Sequence, residues 1–297
     1  MARRRKTAGI LRHPAQYIVV AFIGASLAGA VLLSIPAASD GAGRTSALTA
    51  LFTATSAVCV TGLVVVDTAG HWTAFGEWII LGLIQAGGFG IMTLSSLLGF
   101  VVARRIGLRH RLVAAAETGS LSLGDLRQLL IGVVRLSVGV EAAVAVVLWL
   151  RFWLTHDEPL ARAAHLGVFH AVSAFNNAGF SLFNDSLEGF SRDPFLLLVV
   201  AATIVVGGLG FPVWIQIARH PRVPREWSLH AKLTVVATLF LIASGWALLA
   251  WFEWTNPRTL GPLSAPDSLV NALFHSVTPR TAGFNSIDIA VMREPSR

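Results

Sequence analysis

Three glycines, Gly62, Gly179 and Gly283, stand at the same point of three similar segments. These read LFTATSAVCVTGLVVVD from Leu51, VFHAVSAFNNAGFSLFND from Val168 and LFHSVTPRTAGFNSID from Leu273. In each, a phenylalanine (Phe52, Phe169, Phe274) precedes the glycine by nine or ten residues and a large apolar residue (Leu63, Phe180, Phe284) follows it. Asp67, Asn184 or Asp288 lies five residues beyond. Glycine accepts φ > 0 at little steric cost, so it lets successive carbonyls turn toward one line. A set of such carbonyls can replace the water stripped from a cation, which is the chemistry of a selective ion filter. No carboxylate lies at the glycines themselves, so selection there would rest on backbone rather than on a ring of charge. One such glycine is an ordinary turn residue; three in register are not.

The elements that must position them follow from hydropathy. Each glycine is preceded by a short apolar stretch (46–58, 163–175, 268–279), too short to cross a ~30 Å hydrocarbon core, which takes about 20 residues. Five longer apolar stretches, 18–36, 78–103, 130–154, 195–218 and 233–252, are long enough. The repeating unit is therefore span, re-entrant helix, glycine-containing strand, span, recurring after 117 residues (62 to 179) and 104 residues (179 to 283). A half-crossing helix followed by irregular backbone is tolerated at membrane depth only where it lines a wet cavity or is buried in protein. Its C-terminal end, carrying about half a negative charge, would favour a cation at the point where several converge. Gly87, Gly88 and Gly90 in the second span, and Gly207, Gly208 and Gly210 in the fourth, are expected to permit close helix packing, with Pro212 a kink. Glu141 in the third span is expected to make a structural hydrogen bond to a neighbouring helix or connector, since Arg135 and Arg151 do not face it at helical spacing. His170 and His275 occupy equivalent positions, where the first unit has Thr53, and read as packing residues rather than metal ligands. Arg280 reads as an anchor of its loop through carbonyls, and Cys59 as a small buried residue behind the glycine.

Composition agrees with a lipid-facing surface. Of 297 residues 54% are hydrophobic and 13% charged, where a soluble domain carries about 25% charged. The net charge of +7 is distributed by side. Arg3, Arg4, Arg5, Lys6 and Arg12 precede the first span; Arg104, Arg105, Arg109, Arg111 and Arg127 follow the second; Arg219, Arg222, Arg225 and Lys232 follow the fourth. This alternation is the positive-inside pattern and places the N-terminus in the cytoplasm. No separate soluble domain presents these charges, which argues against a nucleic-acid partner. One cysteine excludes an intrachain disulfide, and H-E-x-x-H, G-x-S-x-G and paired intramembrane aspartates are missing, so an enzyme is not indicated. The organisation reads as a basic tail 1–15, a first repeat 16–103, an amphipathic linker 104–128, a second repeat 129–218, a cytoplasmic loop 219–230 and a third repeat 231–297, incomplete.

SAVCVTGLVVVD, AFNNAGFSLF and RTAGFNSID, in this order and spacing, resemble the first three pore loops of the Trk/Ktr/HKT potassium transporter superfamily, most of all its KtrB-type (TrkH/KtrB) membrane subunits. The resemblance runs through nearly the whole chain. It implies an all-α membrane protein of span–pore helix–filter–span units around a pseudo-fourfold pore, about two and a half of the four units being present here. It implies a potassium filter of Val60, Thr61, Gly62, Leu63; Asn177, Ala178, Gly179, Phe180; and Thr281, Ala282, Gly283, Phe284. It further implies K+ as the transported ion with Na+ as a candidate second ion, a homodimer in the bacterial inner membrane, and a cytosolic RCK-type nucleotide-binding regulator. A fourth segment would fall past Arg297, so the chain is expected to stop short of a complete pore. A non-conducting remnant or interaction subunit of the same fold is the alternative.

Overall fold

The computed structural model describes residues 14–40, 45–106 and 123–296. Three helical units follow one another. The first comprises α1 (Pro14–Leu33), α2 (Ala47–Val58), the single turn α3 (Thr68–His71) and α4 (Ala74–Ile106). The second comprises α5 (Leu123–Thr155), α6 (Leu160–Phe175), α7 (Pro194–Leu209) and α8 (Phe211–Arg219). The third supplies α9 (Leu229–Glu253) and α10 (Ala265–Val277). Much of the linker expected over 104–128, residues 107–122, lies outside the described residues; α4 and α5 extend into its two ends.

The half-length helices α2, α6 and α10 hold 12, 16 and 13 residues. At 1.5 Å per residue they reach roughly 18 to 24 Å, short of a bilayer core. Ser46 and Ser264 start two of them by accepting the Thr49 and Asp267 N–H groups. Each packs against the first span of its own unit: α2 on α1, α6 on α5, α10 on α9. Units one and two meet through α4 against α5 and α6; units two and three meet through α7 against α10. α4, α5 and α9 contain stretches long and apolar enough to cross a membrane, Ala74–Thr93, Ile131–Thr155 and Leu229–Glu253.

The core surrounds the glycine segments. Phe152, Phe169, Phe180, Phe274 and Phe284 are buried completely or nearly so, and most of the cluster lies on the half-length helices and the spans beside them. Burial of an aromatic side chain is worth on the order of 2–3 kcal/mol, so this cluster is where the units are held together. The outward faces of α1 and α9 keep Val31, Phe240 and Trp251 exposed, as lipid-facing helices should.

Two expectations are corrected. The glycine segments are not strands: among the described residues the one β-bridge pairs Ser39 with Trp72. The stretch 195–218 is not one straight span. α7 ends at Gly210, whose φ is 79°, and α8 leaves at 95° to it. The left-handed glycine terminates α7, and Pro212, in the first turn of α8, has no N–H to carry the helical ladder across. The Trp214 indole N–H closes the corner on the Val206 carbonyl at 2.8 Å.

Candidate functional site

The three glycine segments share one unusual backbone. Gly62, Gly179 and Gly283 have φ of 70°, 71° and 75°, and the residues two before them, Val60, Asn177 and Thr281, have 55°, 56° and 73°. The residues between, Thr61, Ala178 and Ala282, are not left-handed. In an extended chain successive carbonyls point to opposite sides; making every second residue left-handed turns them to the same side. A non-glycine residue there costs roughly 1 kcal/mol or more. Strain repeated at one position in three units has to be held by its surroundings.

The units also converge. A Cβ on Gly62 would stand 2.6 Å from the Ala178 carbonyl oxygen and 3.4 Å from Gly179 Cα. A Cβ on Gly179 would stand 2.7 Å from the Ala282 oxygen and 2.9 Å from Gly283 Cα. Within 4 Å a Cβ on Gly283 would meet only Gly179. The three backbones thus lie side by side in the order one, two, three around a common line, with unit two in the middle. Behind the next position, the Phe180 and Phe284 side chains are fully buried and offer only backbone to that line, whereas Leu63 is 62% exposed.

Side chains hold this backbone from behind. Thr61 donates through its N–H to the Ser56 carbonyl (2.9 Å) and through its hydroxyl to Ser56 Oγ (2.9 Å). In the second unit Ala178 N–H reaches the Ser173 carbonyl (2.7 Å) while Ser173 Oγ donates to the Phe180 carbonyl (2.7 Å). Asn177, with its amide nitrogen toward the Ala174 and Ile204 carbonyls at 3.1 Å each, ties the segment to α7. His170 and His275 do more than pack. His275 Nε2 accepts the Ser286 and Ile287 N–H groups at 3.1 and 3.2 Å. His170 donates from Nδ1 to the Leu166 carbonyl, which leaves Nε2 to accept at Ser181 Oγ (3.1 Å) and the Leu182 N–H (3.5 Å). Both rings are therefore neutral latches on the chain just after a glycine. Gly87 and Gly207 serve close packing as expected: a Cβ on either would overlap the terminal carbonyl of a half-length helix, Val58 or Phe175.

On one side of the glycines lies a cavity of about 500 Å3, lined by Cys59, Val60, Asn176, Asn177, Thr281 and the Gly207–Gly210 corner, with His230 and Thr234 of α9. Cys59 is half-buried and lines this cavity rather than standing behind the glycine. Arg280 anchors its loop through a hydroxyl, Thr238 Oγ1 at 2.9 Å, instead of a carbonyl. On the other side the loops after Gly179 and Gly283 join through Leu187 N–H to the Asn285 carbonyl (2.8 Å) and Asn285 N–H to Ser186 Oγ (3.0 Å). Glu188 in this loop is pushed up in pKa by burial, then by the charges of Asp288 and Asp185. Among the described residues no three His, Cys, Asp or Glu side chains cluster as a metal site. Backbone left-handedness, a packed axis and a cavity on that axis suit passage of a bare cation.

Known proteins resemble this chain over most of its length. The family described as TrkH, cation transport protein, matches residues 2–295. The chain belongs to this family. It is 39% identical over 281 residues to Ktr system potassium uptake protein B of Bacillus subtilis, covering 95% of this chain and 62% of that protein. It is 38% identical to the protein of the same name from Vibrio alginolyticus, covering 94% and 61%, and 37% identical to the potassium/sodium uptake protein NtpJ of Enterococcus hirae, again 94% and 61%. The chain thus spans a little over three fifths of these relatives' length. The TrkH crystal structure from Vibrio parahaemolyticus shares its fold, with a TM-score of 0.66 and 18% identity over 96% of this chain and 54% of that one. The protein is an all-α membrane protein of the TrkH family with the unit repeated as the sequence indicates.

Of the twelve residues singled out by resemblance, Val60, Gly62, Asn177, Gly179, Thr281 and Gly283 carry the left-handed backbone, Thr61, Ala178 and Ala282 stand between them, and Leu63, Phe180 and Phe284 follow. The sequence reading missed the His latches and the partner of Glu141, which proves to be Asn176 (Nδ2 to Oε1, 3.1 Å), and it gave Pro212 as a kink without the corner at Gly210. The equivalence of His170 and His275 was the available signal for the first of these.

Proposed function

We propose that this chain is the ion-translocating membrane subunit of a Ktr-type potassium uptake system. K+ would shed its water against the carbonyls of Val60–Leu63, Asn177–Phe180 and Thr281–Phe284. The observation that carries this reading is the paired left-handed φ at the same two positions in three units whose glycines touch. A carbonyl filter asks for that backbone; a structural turn does not repeat it on one axis. The relatives' names supply the ion, and the name of the Enterococcus relative keeps Na+ as a second transported or coupled ion. In this reading the protein sits in the cell membrane with its N-terminus in the cytoplasm, pairs as a homodimer and answers to an RCK-type nucleotide-binding subunit.

The test is a chimera in which this chain replaces the matching part of the Bacillus subtilis relative, expressed in cells lacking their own K+ uptake. Growth at low K+ with K+-selective flux in proteoliposomes is expected. A chimera that inserts, keeps its regulator and passes no K+ would instead favour a non-conducting member of the fold.

A further inference from the structure

Two polar contacts beneath the glycine segments have no part in the filter reading, and they match each other. Asn176 and Arg280 both stand three residues before a glycine, and Cys59 takes that place in the first unit. Each is tied to the first span of its own unit: Asn176 Nδ2 to Glu141 Oε1 on α5 at 3.1 Å, and Arg280 Nη2 to Thr238 Oγ1 on α9 at 2.9 Å. All but Arg280 are nearly inaccessible, with Glu141 6%, Asn176 7% and Thr238 4% exposed. The next residue along, Asn177 or Thr281, is the left-handed non-glycine. The Asn176 side chain also fits over Gly88 and reaches Gln85 Oε1 on α4 at 3.3 Å, so the same amide bridges units one and two.

A carboxylate or hydroxyl facing inward from a span is more costly than an apolar residue there, and simple packing would be better served by leucine or valine. A tether is a different matter. Asn177 and Thr281 sit in a strained backbone well that relaxes unless the preceding residue is held. The difference between K+ and Na+ coordination is a few tenths of an ångström, small enough for one loosened residue to erase.

We propose that Glu141 and Thr238 are positioning residues for ion selection, acting through Asn176 and Arg280 to hold Asn177 and Thr281 in register. This rests on the filter reading above. Glu141 acts here as a hydrogen-bond acceptor; its charge is not what selection requires.

The experiment measures the ratio of K+ to Na+ flux in proteoliposomes of the chimera. Glu141→Ala and Thr238→Val are expected to lower the ratio about tenfold, the size of one lost buried hydrogen bond. Glu141→Gln and Thr238→Ser keep the acceptor and should stay within about twofold of the parent. Adding Glu141→Ala to Asn176→Ala should change the ratio little further, because Glu141 acts through that amide. Glu141→Gln as damaging as Glu141→Ala, or an unchanged ratio in both Glu141→Ala and Thr238→Val, would overturn the proposal. Should Glu141→Ala fail to insert, Thr238→Val, which preserves side-chain shape, decides against Thr238→Ser. Gly283→Ser in the same assay separates the two readings. If it lowers the ratio while the tether variants do not, only the tether is lost; if it too leaves the ratio unchanged, the filter assignment falls with it.

Discussion

Gly179 and Gly283 face each other so closely that a Cβ on either would stand 2.9 to 3.1 Å from the other's Cα, at φ values that a side chain resists. Serine at either position adds on the order of 1 kcal/mol of backbone strain and pushes the carbonyls apart. In the chimera, insertion should be retained and the K+ to Na+ flux ratio should fall; an unchanged ratio in both variants would remove these residues from the ion path. Asp193 shows a different residue-scale effect, away from the axis. Burial tends to raise its pKa, but bidentate Arg151 (2.9 and 2.8 Å), His156 (2.8 Å) and the Leu196 N–H together outweigh it and lower the value. The folded pKa is thus below the unfolded one, so ionised Asp193 stabilises the fold above the unfolded carboxylate range. That contribution is lost as pH falls through the folded pKa. Melting temperature should drop on acidification over that range, and Asp193→Asn should be less stable at neutral pH and flatter in its acid response.

At the scale of elements, the half-length helices are held near their C-terminal ends by devices that a point change can cut. Removing the His275 ring strands the Ser286 and Ile287 N–H groups, at about 1–3 kcal/mol for each buried group left unpaired. His275→Ala is expected to lower the thermal midpoint of the purified protein and weaken selectivity, and His275→Gln, which keeps an acceptor, to recover part of both. The opposite face is set by Gly87, where the Val58 carbonyl lies against the α-carbon. Gly87→Ala would force α2 away from α4, and overpacking of this kind costs about 1–3 kcal/mol. Reduced yield of folded protein in detergent, with the matched change Gly207→Ala behaving alike, would show that the two units use one packing rule. Equal stability of all three proteins would show that the helices separate without cost.

For the whole molecule, the proposed sidedness rests on charge. The proposed topology puts 109 and 222 in the cytoplasm and 157 and 267 outside. With Cys59 replaced by serine, single cysteines at 157 and 267 should react with an impermeant thiol reagent in intact cells, and those at 109 and 222 only after permeabilisation. Labelling of position 109 in intact cells with 157 protected would invert the orientation. Gly179 lies between Gly62 and Gly283, each half-length helix packs on its own span, and α4 and α7 carry contacts between units.

The amino-acid sequence by itself determined the three-unit repeat, the half-length helices and the register of Gly62, Gly179 and Gly283. Hydropathy, helix length and the need for glycine at φ > 0 are read within a dozen residues, and a repeat tests them three times. The corner at Gly210 was half visible: Gly210 and Pro212 stand in the sequence, but the same residues occur in helices that only bend, and the 95° turn appears only in the structure, where Trp214 also bonds the Val206 carbonyl. The pairing of Glu141 with Asn176, 35 residues apart, and the meeting of Gly62 with Gly179 were decided by tertiary structure alone. Periodicity gives the face on which a residue lies; which distant residue meets that face depends on the crossing of whole helices, and no short stretch of chain encodes it.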